Sequence, residues 1–296
     1  MPTATAFEAH RSYLLGIAYR MLGSLSEAED MVQESWLRWQ RADQQDVAAP
    51  RAFLSRIVTN LCLDQMKSAR ARREDYVGPW LPDPVAQGVG PDVEAERAES
   101  LSVALLLALE RLSPLERVAF LLHDIFDMDF AEVARCLGRS EASCRQLATR
   151  ARTHVRSARP RFAVPVALGA AMVDAFMTAM TSGDVEALGQ LLAQDVTVHA
   201  DGGGIKIAVL NIVHGADKAA RFFTGIARKA GDYPRRILWR GQINGMPGYV
   251  SIEKGDTLQS TAFSIEDGAI KAIYIVRNPD KLAHLLPLVV PEESRP

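Results

Sequence analysis

The residues best suited to chemistry cluster between Asp129 and Arg156, and the chemistry they suit is DNA recognition rather than bond making. Ser143, Arg145, Gln146, Thr149 and Arg150 fall in the first half of a predicted helix. That is the part of a recognition helix that enters a major groove, where a guanidinium fork or a side-chain amide reads base edges. Arg152, with Arg156 beyond it, is placed to seat the same helix on phosphates. Between Arg139 and Arg161, the side chains of Arg139, Arg145, Arg150, Arg152, Arg156, Arg159 and Arg161 face a single acid, Glu141. On a chain whose formal net charge is only −2, such a cluster reads as a phosphate footprint. A solvated helical face is the plainer account of an arginine row, but so local a concentration of charge favours DNA. Near-neutrality overall excludes a protein that coats nucleic acid indiscriminately, so the contact is local and calls for a partner.

Two short amphipathic helices must position that row. Asp129 is set to cap the first, with Glu132 completing a capping box, and Phe130, Val133, Ala134 and Leu137 recur on one buried face. Gly138 supplies the turn and Ser140 the next N-cap, after which Cys144, Leu147, Ala151 and Val155 point inward. The pattern predicts a helix-turn-helix.

Upstream, residues from Phe7 to about Arg73 read as helix throughout. Leu14, Ile17, Ala18, Met21 and Leu22 repeat on one face, and Ser26 with Glu29 suggests a capped helix running to Gln40. Another helix opens at Pro50, and Arg56, Asn60, Lys67, Arg70 and Arg73 lie on or near one of its faces, a second basic cluster. Such a face, next to the connection between Gln40 and Pro50, suits the holding of an unstacked strand and an extruded base. Trp36 and Trp39 read as core and interface residues. From Tyr76 to about Val93, proline and glycine rule out a helix and mark a linker, acidic through Asp92, Glu94, Glu96 and Glu99. It is read as a solvated tether, or alternatively as an acidic strand occupying a channel meant for nucleic acid. Ser113, Pro114 and Glu116 then give a cap, a first-turn proline and a capping box that open the helical module ending in the helix-turn-helix.

Composition changes near Arg161. Helices are predicted at about Val166–Thr181, Val185–Ala193 and Asp217–Ala230, and strands in VTVHA, RRILWRGQI, GYVSIEKG, DTLQSTAFSIEDG and AIKAIYIVR. Helices followed by hairpin-linked strands imply an α+β domain with a curved antiparallel sheet. Cys62, Cys136 and Cys144 lack metal spacing and fall on apolar faces, and the six histidines are scattered, so neither a metal nor a cofactor is expected. No apolar run approaches the ~20 residues that span a bilayer, and the first ten residues lack a signal pattern, so the expected location is the cytoplasm.

Two helical modules, an acidic linker and a helix-turn-helix together resemble a bacterial sigma factor of the extracytoplasmic-function type. AEDMVQESWLRWQ (28–40) is similar to the second conserved region. The resemblance implies that Asp30, Gln33 and Glu34 dock on the β′ subunit of core RNA polymerase, with β as a further contact. RAFLSRIVTNLCLDQMKSARARR (51–73) resembles the part that opens and reads the −10 element, with Asn60 and Asp64 at the family's spacing. LSPLERVAFLLHDIF with the helix-turn-helix resembles the fourth region, which reads the −35 element. The extra domain points to the subgroup with a fused SnoaL-like domain, a cone-shaped α+β barrel, on three short motifs. These are WLPDP (Trp80, Leu81, Pro82, Asp83, Pro84), DGGG with a lysine (Asp201, Gly202, Gly203, Gly204, Lys206) and NPDKL (Asn278, Pro279, Asp280, Lys281, Leu282). Ile205 separates the glycines from Lys206, and Asp83 stands where glutamate is usual.

The resemblance implies a promoter-specific sigma subunit with boundaries at 6–75, 76–98, 99–161 and 166–290. Docking of WLPDP on the other two motifs would control it in cis by fixing how far apart the two promoter readers stand. A small ligand in the cone would bias that docking. The alternative is a helix-turn-helix regulator whose third domain senses a ligand or has cyclase- or isomerase-type activity. His199, Asp201 and His214 are then the candidate acid–base residues, although fold analogy is weak support for turnover and no catalytic set is assigned.

Overall fold

The computed structural model describes residues 2–42, 47, 49–89, 101–156, 164–231 and 235–289. The chain divides into two compact units, one formed by 1–75 with 91–159, the other by 76–90 with 160–296.

The first unit is helical. It contains α1 (Pro2–Leu22), α2 (Leu25–Arg41), α3 (Pro50–Glu74), α4 (Val103–Glu110), α5 (Pro114–Phe120), α6 (Phe130–Leu137) and α7 (Glu141–Val155). A π-helical turn, Leu121–Ile125, follows α5. The predicted caps of the helix-turn-helix form. Asp129 accepts from the Glu132 N–H at 2.7 Å, Ser140 from the Ser143 N–H at 3.3 Å, and Gly138 takes the left-handed conformation at φ +61°. Ser113 and Glu116 make the reciprocal capping box. One cap differs: α2 is capped by Ser24, which accepts from the Glu27 N–H, and not by Ser26. Leu25 is buried, and seating it in the core starts the helix one residue after Ser24.

Helices α1–α3 and α4–α7 share a buried seam. The Arg117 guanidinium, with its side chain 3% exposed, donates to the Met21 carbonyl at 2.5 Å and pairs with Glu110 at 2.8 Å. Burial lowers its pKa to about 10, still far above neutrality, so it remains charged. Phe126 meets Tyr13 edge-on at 5.1 Å and lies beneath Arg20, itself buried and bonded to the Gly16 carbonyl. The basic helix α3 packs along α6 of the helix-turn-helix.

The second unit carries α8 (Val166–Ser182), α9 (Val185–Leu191) and α10 (Ala216–Ala230) on one face of a six-stranded sheet. Its strands are β1 (Leu192–Asp201), β2 (Val213–His214), β3 (Arg236–Ile243), β4 (Met246–Glu253), β5 (Thr257–Glu266) and β6 (Ala269–Val276), in the order β2-β1-β6-β5-β4-β3. Only β1 and β6 run parallel. The α+β expectation holds, but the sheet is an open curved layer with β2 and β3 as edges rather than a closed barrel. Left-handed Asn244–Gly245 and Asp267–Gly268 make the tight turns of two hairpins, as the alternating sequence with those dipeptides requires. Phe176, Phe223, Phe263, Tyr249, Val196 and Ile273 form the core between the helices and the sheet. A short α11 (Pro279–Leu282) follows β6.

The proline-rich segment is not a solvated tether over residues 76–89. Leu81, Pro82, Asp83, Pro84 and Ala86 are buried, and the chain extends the sheet edge through a bridge between Ala86 and Ile243. The acidic stretch bearing Asp92, Glu94, Glu96 and Glu99 lies outside the described residues, as does most of the connection between Arg41 and Pro50.

Candidate nucleic-acid interface and linker lock

On α2, Asp30 and Gln33 are exposed, and half-exposed Glu34 bonds to Arg38 at 3.0 Å. Leu37, one turn beyond Gln33, is 39% exposed and completes an i, i+3, i+4, i+7 stripe. Charge-based reasoning passed over it because a lone exposed leucine carries no signal in sequence.

The α3 residues fall into two groups. Arg56 and Asn60 are exposed, with Arg56 over the Phe53 ring at 5.7 Å and close enough to Cys136 of α6 to favour its thiolate. Burial nevertheless dominates and pushes that thiol up to about 11, which suits an inert core cysteine. Lys67 is exposed and pairs with Asp64 at 2.9 Å. The side chains of Arg70 and Arg73 lie outside the described residues.

On α7, Arg145, Gln146, Thr149 and Arg150 share an exposed face, with Ser143 half-exposed at its start. Arg145 pairs with Glu141 at 2.5 Å and lies over the Phe130 ring at 5.3 Å, a surface pairing weak enough to be exchanged for a base or phosphate. Thr149 bonds to the Arg145 carbonyl. Arg152 differs from its neighbours: its guanidinium binds Asp124 of the π-helical turn at 2.7 Å, and Asp124 is only 14% exposed. This pair orients α7 on the helices beneath it.

The second unit gathers the three short motifs around one carboxylate. Asp201, fully buried at the end of β1, accepts four hydrogen bonds. Oδ1 receives the Tyr76 hydroxyl at 2.6 Å and the Gly203 N–H at 3.0 Å; Oδ2 receives the Leu81 N–H at 2.9 Å and the Lys281 ammonium at 2.8 Å. Lys281 also donates to the Leu81 carbonyl and lies over the rings of Trp80 at 4.3 Å and Tyr76 at 4.9 Å. Asn278 donates from Nδ2 to the Tyr76 oxygen at 2.8 Å, while its Oδ1 caps α11 through the Asp280 N–H. His284 donates from Nε2 to the Pro84 carbonyl at 2.7 Å, and Asn244 accepts the Val85 N–H at 3.1 Å.

The glycines are required by this geometry. At Gly203 a Cβ would stand 2.4 Å from Asn278 Nδ2, and at Gly202 one would stand 2.1 Å from the Lys206 carbonyl. WLPDP, DGGG and NPDKL thus converge. Tyr76, four residues before Trp80 and outside every motif, joins them; burial first, then Asp201, raises its phenol pKa, so it stays a neutral donor. The lysine of the lock is Lys281. Lys206 stands half-exposed, contributing its backbone to the turn after Gly202.

Of the candidate acid–base residues, Asp201 is committed to the lock. The His199 ring lies tilted beside Tyr274 at 5.2 Å and bonds to Thr197 at 3.1 Å. Its pKa is pushed down to about 4, by burial first and then by His214. His214 lies on the short edge strand β2, paired with Thr197.

Residues 6–72 match the Sigma-70 region 2 family and residues 102–155 the Sigma-70 region 4 family. The chain is 40% identical over 288 residues to the ECF RNA polymerase sigma factor SigJ of Mycobacterium tuberculosis, covering 93% of this chain and 91% of that one. It belongs to the ECF RNA polymerase sigma factors. A second relative of this sigma-factor family, the probable ECF sigma factor SigI of the same species, is 33% identical and covers 95% of both chains. The crystal structure of M. tuberculosis SigJ aligns with a TM-score of 0.77 at 37% identity, over 95% of this chain and 98% of that one, so the likeness extends through the C-terminal domain. As an ECF sigma factor, the chain directs RNA polymerase to promoter DNA. Among the described residues no helix is long and apolar enough to cross a membrane.

Two outcomes test the lock and its surroundings. Asp201→Asn leaves the buried Lys281 ammonium without its counter-charge and should weaken linker docking by about 3–5 kcal/mol. The readout is faster proteolysis within residues 76–90, with Lys206→Gln cleaved at the parent rate. His199 has a folded pKa below its unfolded value of 6.5, so the folded state binds fewer protons and stability falls as pH drops from 6.5 towards about 4. This cost should reach about 2 kcal/mol near pH ~5 in denaturant titrations and be relieved in His199→Gln; the depressed His284 adds a cost of the same sign.

Proposed function

We propose that this sigma factor reads promoters with two modules whose separation is governed in cis by the docked linker. The α2 stripe of Asp30, Gln33, Glu34 and Leu37 is assigned to the β′ subunit of core polymerase, with β as a further contact, which places the protein in the cytoplasm. Arg56, Asn60, Lys67, Arg70 and Arg73 of α3 are assigned to the −10 element. Ser143, Arg145, Gln146, Thr149 and Arg150 are assigned to the −35 element, with Arg152 positioning α7 through Asp124.

The observation that carries the cis reading is the four-bonded Asp201, which ties residues 76–85 to the C-terminal domain. The two promoter elements are centred about 25 base pairs apart, ~85 Å along B-DNA. A fully extended connection from Glu74 to Val103 reaches ~100 Å. With residues 76–90 held on the C-terminal domain, only about half of that contour remains free. In the first unit α3 packs along α6, so promoter engagement requires the two readers to part. Undocking the linker supplies the length for it.

Transcription by holoenzyme reconstituted from core polymerase and the full chain tests both parts. Arg145→Ala is expected to weaken −35-dependent binding by ~1–3 kcal/mol; unchanged promoter selectivity removes Arg145 from the reading set. Trp80→Ala and Asp201→Asn, which loosen the lock, are expected to raise initiation from a cognate promoter. Indifference of transcription to both overturns cis control while leaving the sigma activity intact.

A further inference from the structure

Away from the lock, the helix-covered face of the sheet carries a polar patch that neither promoter reading nor linker docking uses. In β4 and β5, alternate positions on this face should be apolar to meet α8 and α10, and Phe263 and Ile265 obey that rule. Towards the β4–β5 turn the rule breaks. Tyr249, Ser251 and Glu253 of β4 face the helices beside Thr261, Gln259 and Thr257 of β5, in register. Ser251, Thr257, Gln259 and Thr261 are all buried. Gln259 bonds to Thr261 at 3.0 Å and Ser251 to Glu253 at 2.7 Å.

Cations collect at this patch. Arg235, 17% exposed, binds Glu253 at 2.5 Å and lies over the Tyr249 ring at 5.8 Å. Arg240 stands directly across from Tyr249 and pairs with Asp174 of α8. Arg277, just beyond β6, is half-buried, feels Glu253 across the face, and donates from Nη1 to the Ile207 carbonyl at 2.5 Å. Its Nε is buried and has no hydrogen-bond partner among the described residues. Burial lowers the Arg277 pKa, so the charge is held there at a cost. Among the described residues two of these guanidiniums are paired with carboxylates, Arg235 with Glu253 and Arg240 with Asp174, whereas Arg277 has no carboxylate partner and keeps a buried, unpartnered Nε–H.

We infer that this face binds a small monocarboxylate, with Arg277 as its principal ligand and Arg235 in support. The geometry fits that class: a planar carboxylate matches a guanidinium fork, the Arg277 Nε–H is open to an acceptor, and Met180, in contact with Arg235 and part of the same apolar core as Phe176 and Phe263, suits an apolar body. The site also adjoins the lock. The Arg277 main-chain N–H donates to the Asp201 carbonyl at 2.7 Å, and its side chain holds the loop that follows the three glycines. A bound carboxylate that draws Arg277 from Ile207 loosens that loop; this last link rests on the cis reading, whereas the site does not.

Calorimetric titration of the full-length protein with octanoate, and with octanamide as its uncharged counterpart, tests the site. Octanoate is expected to bind and octanamide to bind at least about tenfold more weakly. Arg277→Gln should weaken octanoate by about tenfold or more, and Arg277→Lys by less. Glu253→Gln, which removes the competing carboxylate, should tighten it, an outcome no unfolding variant can mimic. Absence of octanoate binding, equal binding of the amide, or affinities unmoved by Arg277→Gln and Glu253→Gln would each overturn the proposal. Because binding is read without polymerase, failure here is separable from failure of cis control, which is read in transcription.

Discussion

A buried carboxylate with every lone pair engaged is the constraint around which the C-terminal unit is organised. Asp201 has been taken out of water, a cost of several kcal/mol unless its charge is met. It is met by one ammonium, one phenol and two backbone N–H groups that come from three separate stretches of chain. Each partner is in turn held elsewhere: Tyr76 by Asn278, Lys281 by the Leu81 carbonyl and two aromatic rings, and Gly203 by a left-handed turn. Removing any one leaves a buried polar group unmet among the rest, so the contacts that hold the linker support one another. That cooperativity is what a switch requires and a set of independent surface contacts lacks.

The surfaces proposed to read DNA follow the opposite physics. Arg145, Gln146, Arg150 and Asn60 are exposed, and where they pair, as Arg145 does with Glu141, the partner is also solvated. Such pairs contribute little and are readily exchanged for phosphate or base. What is rigid is beneath them: the Asp124–Arg152 pair, the buried Arg117 and the Phe126–Tyr13 contact fix the helices from which the readers project. Exchangeable surface charges on an immobile base suit a subunit that trades its own ion pairs for contacts to phosphate and base.

Local interactions were legible in the sequence because they span few residues. Asp129, Ser113, Ser140 and Gly138 each act within one helical turn, and the hairpin turns at Asn244–Gly245 and Asp267–Gly268 are set by two residues. The cap of α2 was misplaced by two residues because Ser24 and Ser26 are equivalent locally, and only burial of Leu25 distinguishes them. The convergence of the three short motifs was readable through family resemblance, but the identity of the lysine was not. Lys206 sits nearer Asp201 in sequence, yet the backbone turn at Gly202 directs the chain away, and α11 delivers Lys281 instead.

The sequence by itself therefore determined the helical modules, the helix-turn-helix with its arginine row, the strand alternation of the last domain and the sigma-factor family, all of which depend on short-range periodicity or on motif residues. Only the tertiary structure decided that the sheet stays open, that Tyr76 belongs to the lock, that Arg152 faces Asp124, that Arg235 binds Glu253 and that Arg277 holds the Ile207 carbonyl. The reason is the same in each case. A charge or hydroxyl reveals nothing of its partner until folding brings together residues tens to hundreds of positions apart, and the cost of burying it then selects which one it meets.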